Sequence, residues 1–293
     1  MRVFFDLSLR VKLRISGPDR VRFLNGQITN DLRKASTSTA LEACVLNAKG
    51  KLDAHLFLHS EPNSFLIDAE TEIGKSLQTR LERYIIADDV QIDDVTSQLS
   101  IFHVLENVPD LEVAPKIVTA DRFGLPGRDI WIDSANREKV AAQLSTKFVL
   151  SRDTETEVFR IEQGIPRWGR ELTAEIIPLE ANLEERCIDY GKGCYIGQET
   201  ILRMKMSGQR NKLLRGLVSL DNSPLRPKAE LSANGKASGW VTSAADSRRL
   251  GKQIGLGFVK RASNSLGSRL EATMPESGYG PVAVEVVDLP FVG

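Results

Sequence analysis

Apolar and polar residues alternate in short runs along the first half of the chain, as is typical of half-buried strands. This alternation predicts strands at residues 4–15, 42–46, 52–58, 64–68, 90–95, 99–105 and 131–132. Apolar residues three or four positions apart predict helices near residues 21–28, 72–84, 136–144 and 154–163. The pattern therefore predicts a region that mixes helices and strands.

After residue 210 the pattern changes to short apolar stretches separated by Gly, Pro, Ser and Asn. This texture is typical of a small β-barrel or β-sandwich. Two ββα-like passages precede it, at residues 42–84 and 90–144, and they predict an α+β layer. The length of 293 residues suits about two domains. We place the boundary between them at residues 208–211.

Composition excludes several classes of protein. The chain carries 39 Lys and Arg against 39 Asp and Glu. Proteins that grip nucleic acid by its phosphates usually have a basic excess, so no direct nucleic-acid binding is expected. The N-terminal residues lack the apolar stretch of a signal peptide, and no run reaches the roughly 18 apolar residues of a membrane helix. Three cysteines do not suggest a disulfide framework, so the expected location is the reducing cytoplasm, away from membranes.

The stretch KGCYIGQE at residues 192–199 has the strongest chemical character. Its cysteine, Cys194, lies close to Lys192 and just before a helix predicted at residues 197–206. A neighbouring positive charge and a helix N-terminus both favour the thiolate over the thiol. Cys194 is therefore a candidate reactive group. The alternative is a small buried side chain beside a tight turn.

Two carboxylates are further candidates. Glu162 lies near the end of a predicted helix, and a carboxylate can accept two adjacent N–H groups from a planar ring such as a pterin or a guanine. The alternative for Glu162 is a surface residue paired with an arginine. Asp53 begins a predicted strand after the turn at Gly50. It is either a base or ligand for a substrate amine, or a solvated strand end.

The histidines and cysteines do not predict a metal site. His55 and His59 lie four residues apart on a predicted strand, too far from each other to share an ion, and His103 is predicted to be a core residue. Cys187 and Cys194 are seven residues apart, whereas zinc ligands usually pair two to four residues apart. Iron–sulfur clusters generally take four thiolates, and the chain has three cysteines. No permanent metal ion or iron–sulfur cluster is therefore expected.

The octapeptide at residues 192–199 resembles the signature K-G-C-Y-x-G-Q-E of the YgfZ family. These are folate-binding proteins related to the T-protein (aminomethyltransferase) of the glycine cleavage system. FLNGQITNDL at residues 23–32 is similar to the family's F-L-Q-G-Q-x-T-N-D, and RIEQG at residues 160–164 is similar to an R-x-E-x-G segment shared with T-proteins. IPLEANL at residues 177–183 and GWVTS at residues 239–243 also match, so the resemblance spans essentially the whole chain.

The resemblance implies an α+β, T-protein-like fold with three lobes around a central folate hole. Residues 1–208 would form the folate-binding region as two interleaved lobes, one of them ferredoxin-like. The first lobe would combine residues 1–45 with residues 150–208, and the second would contain residues 46–149. Residues 209–293 would form a C-terminal β-barrel.

The resemblance also implies roles for individual residues. Glu162 would grip the pterin edge of tetrahydrofolate or of a one-carbon derivative, and Cys194 would lie at the mouth of the folate hole, with Lys192 favouring its thiolate. The other residues expected to bind folate are Lys192, Tyr195, Asn30 and Arg160.

One departure from the T-proteins concerns Asp53. T-proteins typically have Gly-x-x-Asp-Asp-Leu on this strand, with a catalytic aspartate. Here the strand has Asp53 followed by Ala54, and a cysteine is present at position 194, where T-proteins usually have none. The loss of a carboxylate and the gain of a thiol point away from aminomethyl transfer.

Three functions follow from these observations. The primary hypothesis is a cytoplasmic tetrahydrofolate-binding accessory protein that supports assembly or repair of iron–sulfur enzymes and, through them, tRNA modification. Its expected partners are folate and iron–sulfur enzymes or cluster carriers. The second hypothesis is a folate-dependent aminomethyltransferase that uses Asp53. The third is a non-catalytic interaction protein with a vestigial folate hole.

Overall fold

The structure, a computed structural model, describes residues 2–274 and 279–292. The chain divides into two compact units. Residues Met1–Arg152 and Glu184–Leu202 form the first unit, and residues Asp153–Leu183 and Arg203–Gly293 form the second. The chain therefore enters the second unit, returns to the first at Glu184 and leaves it again after Leu202. The predicted division at residues 45, 149 and 208 stays a prediction.

In chain order the strands are β1 (Val3–Asp6), β2 (Val11–Ser16), β3 (Leu41–Leu46), β4 (Leu52–Ser60), β5 (Ser64–Ala69), β6 (Gln91–Asp94), β7 (Leu99–Val104), β8 (Lys116–Thr119), β9 (Arg128–Asp133), β10 (Val149–Leu150), β11 (Lys212–Ser219), β12 (Glu230–Ala233), β13 (Lys236–Ser247), β14 (Lys252–Lys260), β15 (Arg269–Met274) and β16 (Tyr279–Val287). The helices are α1 (Arg20–Gln27), α2 (Gly74–Glu82), α3 (Arg137–Ser145), α4 (Asp153–Glu162), α5 (Glu184–Cys187) and α6 (Gln198–Ser207). Within the described residues, no helix has both the length and the apolar character that crossing a bilayer requires.

The first unit contains two five-stranded sheets. One has the strand order β3-β4-β5-β2-β6, and the other has the order β10-β1-β7-β9-β8. Helix α3 packs against the second of these sheets, and its Val140 and Leu144 join a core that includes Phe4 and Phe102 of the strands. Alternate residues of the strands face this core, which is the physical reason for the alternation in the sequence.

The prediction of a single strand at residues 4–15 is wrong. The segment is divided into β1 and β2, which belong to different sheets. A turn separates them, in which Ser8 N–H donates to Asp6 Oδ1 at 2.9 Å and Arg10 N–H donates to Leu7 O at 3.1 Å. A side chain that bonds the nearby backbone competes with strand pairing, and apolar alternation does not reveal it.

The predicted ββα passage at residues 90–144 also needs correction. β6 pairs with β2 and so belongs to the sheet of the preceding passage, whereas β7 pairs with β1 and β9. The sequence pattern also misses β8 and β10. β10 is only two residues long and is defined by its parallel pairing with β1, a long-range contact that no local pattern carries.

The second unit is built on a closed six-stranded barrel with the order β11-β14-β13-β12-β15-β16. Leu217, Leu231, Val241 and Val284 are fully buried in its core. The predicted α+β fold with a C-terminal β-barrel is therefore confirmed. Helix α4 packs against β13 and β14, so its C-terminal residue, Glu162, is held against the barrel strands.

Candidate functional site

The octapeptide at residues 192–199 lies in the first unit and covers the end of the loop after α5 and the first two residues of α6. Helix α6 begins at Gln198, one residue after the predicted start. Cys194 is exposed, whereas the side chain of Tyr195 beside it is buried. The loop therefore presents the thiol of Cys194 and turns the neighbouring aromatic ring inward.

Two glycines let this loop approach the turn between β3 and β4. Gly197 has a φ of 84°, and a Cβ atom there would lie 2.6 Å from the carbonyl oxygen of Asn47. Gly50 has a φ of 74°, and a Cβ atom there would lie 2.8 Å from Thr200 Cβ. Only glycine fits such positions without strain. The octapeptide is thus packed directly against the hairpin that carries Asp53.

Lys192 is buried and donates to three backbone carbonyls. Its Nζ lies 2.7 Å from Asn25 O, 2.6 Å from Ile28 O and 2.8 Å from Asn30 O. These carbonyls lie at and beyond the C-terminus of α1, where a positive charge is favourable. Burial lowers the pKa of Lys192 to about 8, so the ammonium form is still populated at neutral pH. The three N–H donors of the ammonium group match the three carbonyls. Lys192 therefore fastens the octapeptide to α1.

The side chain of Asn30 also binds backbone groups within the first unit. Its Nδ2 donates to Glu42 O at 2.9 Å and to Arg186 O at 3.1 Å, and its Oδ1 accepts from Asp31 N–H at 2.9 Å. These bonds link β3 to α5. The role expected of Asn30 in folate binding stays a prediction.

Tyr195 contacts Lys192 but leaves its own hydroxyl without a partner. The Lys192 Nζ lies 5.2 Å from the centroid of the Tyr195 ring. The Tyr195 side chain is 7% exposed, and its buried hydroxyl has no hydrogen-bond partner among the described residues. Burial raises the pKa of Tyr195 to about 12, so the hydroxyl is a donor at neutral pH. A ligand acceptor would satisfy this group.

Asp53 is paired with an arginine. Arg80 Nε donates to Asp53 Oδ2 at 2.7 Å, and the same guanidinium donates to Gln27 Oε1 at 3.0 Å and to Leu46 O at 2.8 Å. Ala54, the next residue of β4, is completely buried. Sequence reasoning missed Arg80, which lies 27 residues from Asp53 on another element and has no local signal.

Glu162, the last residue of α4, lies in the second unit with its side chain buried. Ser247 Oγ donates to Glu162 Oε1 at 2.5 Å, and Phe291 N–H donates to the backbone carbonyl of Glu162 at 2.9 Å. The other carboxylate oxygen, Oε2, accepts no hydrogen bond from the residues that the structure describes. The carboxylate is thus oriented by one partner and keeps an oxygen for a ligand.

Arg160, on the same helix, holds α4 to β13. Its Nη2 donates to Ser243 Oγ at 2.8 Å and to Glu157 Oε1 at 2.7 Å, and its Nη1 donates to Glu171 Oε2 at 2.9 Å. Ser243 in turn donates to Glu171 Oε1 at 2.6 Å. This closed network fixes the position of Glu162 two residues along the chain. In the structure, Arg160 therefore positions α4 through its hydrogen bonds to Glu157, Glu171 and Ser243.

A second cluster of reactive side chains lies inside the first unit. His55 Nε2 and Glu42 Oε1 share a hydrogen bond of 2.7 Å, and Arg186 Nε donates to Glu42 Oε2 at 2.7 Å. Burial on its own would lower the pKa of His55, but hydrogen bonds to Cys187 and Glu42 outweigh it and raise the pKa to about 9. Burial raises the pKa of the Cys187 thiol well above its usual value, and the neighbouring Cys44 thiol raises it further.

The other two histidines lie apart from this cluster. His103 is completely buried, with Nδ1 2.8 Å from Asp129 Oδ1, so its predicted place in the core is confirmed. His59 is buried against Trp131, with the ring centroids 4.9 Å apart. Sequence reasoning missed the role of His55 because Cys187 and Arg186 join it from a distant part of the chain.

Comparison with known proteins identifies relatives of the chain. Residues 212–293 match the family described as the glycine cleavage T-protein C-terminal barrel domain. An aminomethyltransferase of Thermoanaerobacter sp. (strain X514) is 26% identical over 306 residues, which cover 91% of this chain and 80% of that protein. An aminomethyltransferase of Bacillus subtilis (strain 168) is 24% identical over 319 residues, covering 98% and 86% respectively.

A solved structure shows the same fold. The glycine cleavage system aminomethyltransferase T from Bartonella henselae matches with a TM-score of 0.86 and 19% sequence identity. The match covers 99% of this chain and 86% of that protein. The chain therefore has a T-protein-like fold and is similar in sequence to aminomethyltransferases over most of its length.

Proposed function

We propose that this chain binds tetrahydrofolate or a one-carbon derivative through Glu162, and that it acts as an accessory protein for iron–sulfur enzymes. The observation that carries the folate proposal is the buried carboxylate of Glu162, with Oε1 fixed by Ser247. The other oxygen, Oε2, accepts no hydrogen bond from the described residues and can therefore accept one from a ligand. The pterin ring of a folate offers adjacent N–H groups that suit it.

The residues around Glu162 fit such a ligand. Two N–H donors on one edge of a planar ring can bond both oxygens of a carboxylate, and a charged acceptor makes these bonds strong. Ser247 occupies only one lone pair of Oε1, so both oxygens can still accept. The Arg160 network prevents α4 from shifting on β13, which keeps the carboxylate in place before the ligand arrives. When bound, the folate would supply a carrier for one-carbon units.

Two features support an accessory role rather than aminomethyl transfer. Asp53 is engaged by Arg80, and Ala54 stands where T-proteins have a second aspartate. The octapeptide resembles the YgfZ signature and presents Cys194 at the surface. The link to iron–sulfur enzymes, and through them to tRNA modification, rests on that resemblance.

Calorimetric titration with tetrahydrofolate, under reducing conditions without oxygen, tests the binding proposal. Glu162→Gln should weaken binding by about 10- to 150-fold, because a charge-assisted pair of hydrogen bonds contributes about 1.5–3 kcal/mol. Glu155→Gln is the matched control, since Glu155 is an exposed glutamate on the same helix, and it should bind like the wild type. No binding by the wild type, or equal affinity in Glu162→Gln, would contradict the proposal.

The second candidate is a folate-dependent aminomethyltransferase, which the sequence similarity to aminomethyltransferases favours. A turnover assay for methylene-tetrahydrofolate from an aminomethyl donor separates the two functions. The accessory proposal expects no turnover by the wild type. Turnover that disappears in Asp53→Asn would establish the transferase instead.

Complementation tests the accessory role in cells. In cells that lack this protein, the wild-type chain should restore the activity of a dependent iron–sulfur enzyme, and Cys194→Ser should not. Equal rescue by both chains would show that Cys194 is not the active element. Failure of the wild-type chain to restore activity would contradict the accessory role.

A further inference from the structure

The buried cluster in the first unit brings together donor atoms from three elements. Glu42 and Cys44 belong to β3, His55 pairs directly with Cys44 across β3 and β4, and Cys187 ends α5. One oxygen of Glu42, one ring nitrogen of His55 and the Cys187 sulfur all lie within 4.8 Å of one another. Cys44 is the cross-strand partner of His55 and its thiol neighbours that of Cys187, but its sulfur lies more than 4.8 Å from at least one of these three donor atoms.

We propose that this Glu–Cys–His–Cys cluster is a zinc site, in which Glu42, His55 and Cys187 bind one Zn²⁺ and the Cys44 thiolate moves closer to complete the coordination. In tetrahedral zinc sites the ligand atoms lie about 2.0–2.3 Å from the ion, so neighbouring ligand atoms are roughly 3.3–3.8 Å apart. The Nε2 of His55 and the Oε1 of Glu42 are now 2.7 Å apart. They need to separate by roughly half an ångström or more to admit the ion.

The donor types favour zinc over other divalent ions. Two thiolates and an imidazole are the ligands of structural zinc sites, and a carboxylate also serves as a zinc ligand. Ca²⁺ and Mg²⁺ prefer sets made of oxygen atoms alone. Cys44 and Cys187 are fully buried and His55 is nearly so. Glu42 is half-buried, so the donors are largely enclosed, which is typical of a structural rather than a catalytic ion.

The charges of the loaded site balance. Two thiolates and one carboxylate carry three negative charges, which Zn²⁺ and the guanidinium of Arg186 neutralise. Arg186 already holds the second oxygen of Glu42 at 2.7 Å. Ion entry requires the thiol protons of Cys44 and Cys187 and the Nε2 proton of His55 to leave for solvent, with no change of oxidation state.

A further contact holds the two cysteines in position. The hydroxyl of Thr29 donates to Cys187 O at 2.6 Å and accepts from Cys44 N–H at 2.9 Å. One side chain therefore fixes the spacing between β3 and the end of α5. Contacts of this kind, made to the ligand residues and not to the ion, orient the metal ligands and increase the affinity for the metal. The sequence does not reveal this site because its ligands come from β3, β4 and α5, which are distant along the chain. Cys194, whose spacing from Cys187 is unlike that of zinc ligands, is not one of them.

Zinc titration of the full chain tests the proposal. The protein is stripped with a chelator in reductant, incubated with Zn²⁺, passed through a desalting column and assayed for metal. The wild type should retain one zinc ion per chain. His55→Gln and Cys187→Ser should each weaken zinc binding by more than about 100-fold, since loss of a ligand exceeds the 10- to 100-fold loss typical of outer contacts.

Two control variants separate the cluster from adventitious binding. His59→Gln replaces a buried histidine on the same strand, and Cys194→Ser replaces the exposed cysteine; both should retain the ion. Loss of zinc in Cys194→Ser, with retention in Cys187→Ser, would overturn the proposal and assign the metal to the surface thiol. Retention by both ligand variants would also overturn it.

Measurements on the wild type remain decisive even where a ligand variant does not fold. Substitution with Co²⁺ should produce the visible absorption of a tetrahedral ion and a near-ultraviolet thiolate charge-transfer band. X-ray absorption of the zinc form should show two sulfur neighbours with nitrogen and oxygen neighbours. A wild-type chain that retains no zinc, or an ion bound by oxygen and nitrogen alone, would refute the zinc site.

Discussion

Replacing Lys192 with methionine should destabilise the first unit by about 3 kcal/mol. The ammonium group serves the carbonyls of Asn25, Ile28 and Asn30, and each buried acceptor left without a donor costs roughly 1–3 kcal/mol. Methionine keeps an unbranched stem of similar volume, so little packing is lost. The three carbonyls together give about 3–9 kcal/mol, and we take the low end because the carbonyl of Asn25 is only partly buried and water can reach it.

The assay follows unfolding of the first unit alone. Trp131 is the tryptophan of that unit, so a background with Trp168→Phe and Trp240→Phe makes its fluorescence a specific reporter. In Lys192→Met the urea concentration at the unfolding midpoint should be lower than in the wild type, and the Tm should fall by roughly 6–12 °C for a unit of this size. Lys49→Met, at an exposed position on the β3–β4 turn, should change stability by less than about 0.5 kcal/mol.

The same variant separates the two interpretations of Lys192. The sequence predicts that Lys192 favours the Cys194 thiolate, whereas the structure assigns its donors to carbonyls. If Lys192→Met is as stable as Lys49→Met and the alkylation of Cys194 slows, the structural reasoning is refuted. Loss of stability with unchanged alkylation supports the fastening role.

Two further predictions concern the first unit. Gly197→Ala should destabilise it by about 2 kcal/mol, because residue 197 has a positive φ and an added Cβ would meet the backbone. Gly193→Ala should be nearly neutral, since a Cβ there meets nothing within 4 Å. Equal effects of the two substitutions on the urea midpoint would contradict this. Burial alone would raise the pKa of Asp68, but Arg122 and Arg10 outweigh it and hold that pKa well below its usual 3.8. As pH falls below about 4, the unfolded chain therefore binds more protons than the folded one, and the free energy of unfolding decreases. Asp68→Asn should flatten this acid dependence, and parallel pH curves for the two chains would disprove the reasoning.

Elements governed by local periodicity are predictable from the sequence. The apolar spacing predicts a helix at residues 154–163, and α4 lies at Asp153–Glu162; the strands of the β3–β4 hairpin are predicted within two residues at each end. The all-β character of the C-terminal region is also predictable, since its short strands and glycine-rich turns carry their signal within a few residues; the pattern alone left a barrel and a sandwich open. The prediction fails for β1 and β2, where the Asp6 side chain stabilises a turn inside an apolar alternation.

For the candidate site residues, the sequence predicts their identity but not their hydrogen-bond partners. The residue types and sequence positions of Glu162, Cys194 and Asp53 are enough to mark them as chemically interesting. Their partners do not follow from the sequence: Ser247 lies 85 residues from Glu162, and Arg80 lies 27 residues from Asp53. A carboxylate's chemistry depends on which donors reach it, and those donors are brought by the fold.

Sequence alone therefore established the type of most elements, an all-β C-terminal region and the residues that have reactive groups. Only the tertiary structure directed Lys192 to the end of α1, and only it joined Cys187 to Cys44 and His55. The physical reason is the range of the interactions. Periodicity and turn propensity act over a few residues, whereas a buried cation or thiol is committed to whichever groups the packed chain places within hydrogen-bond distance.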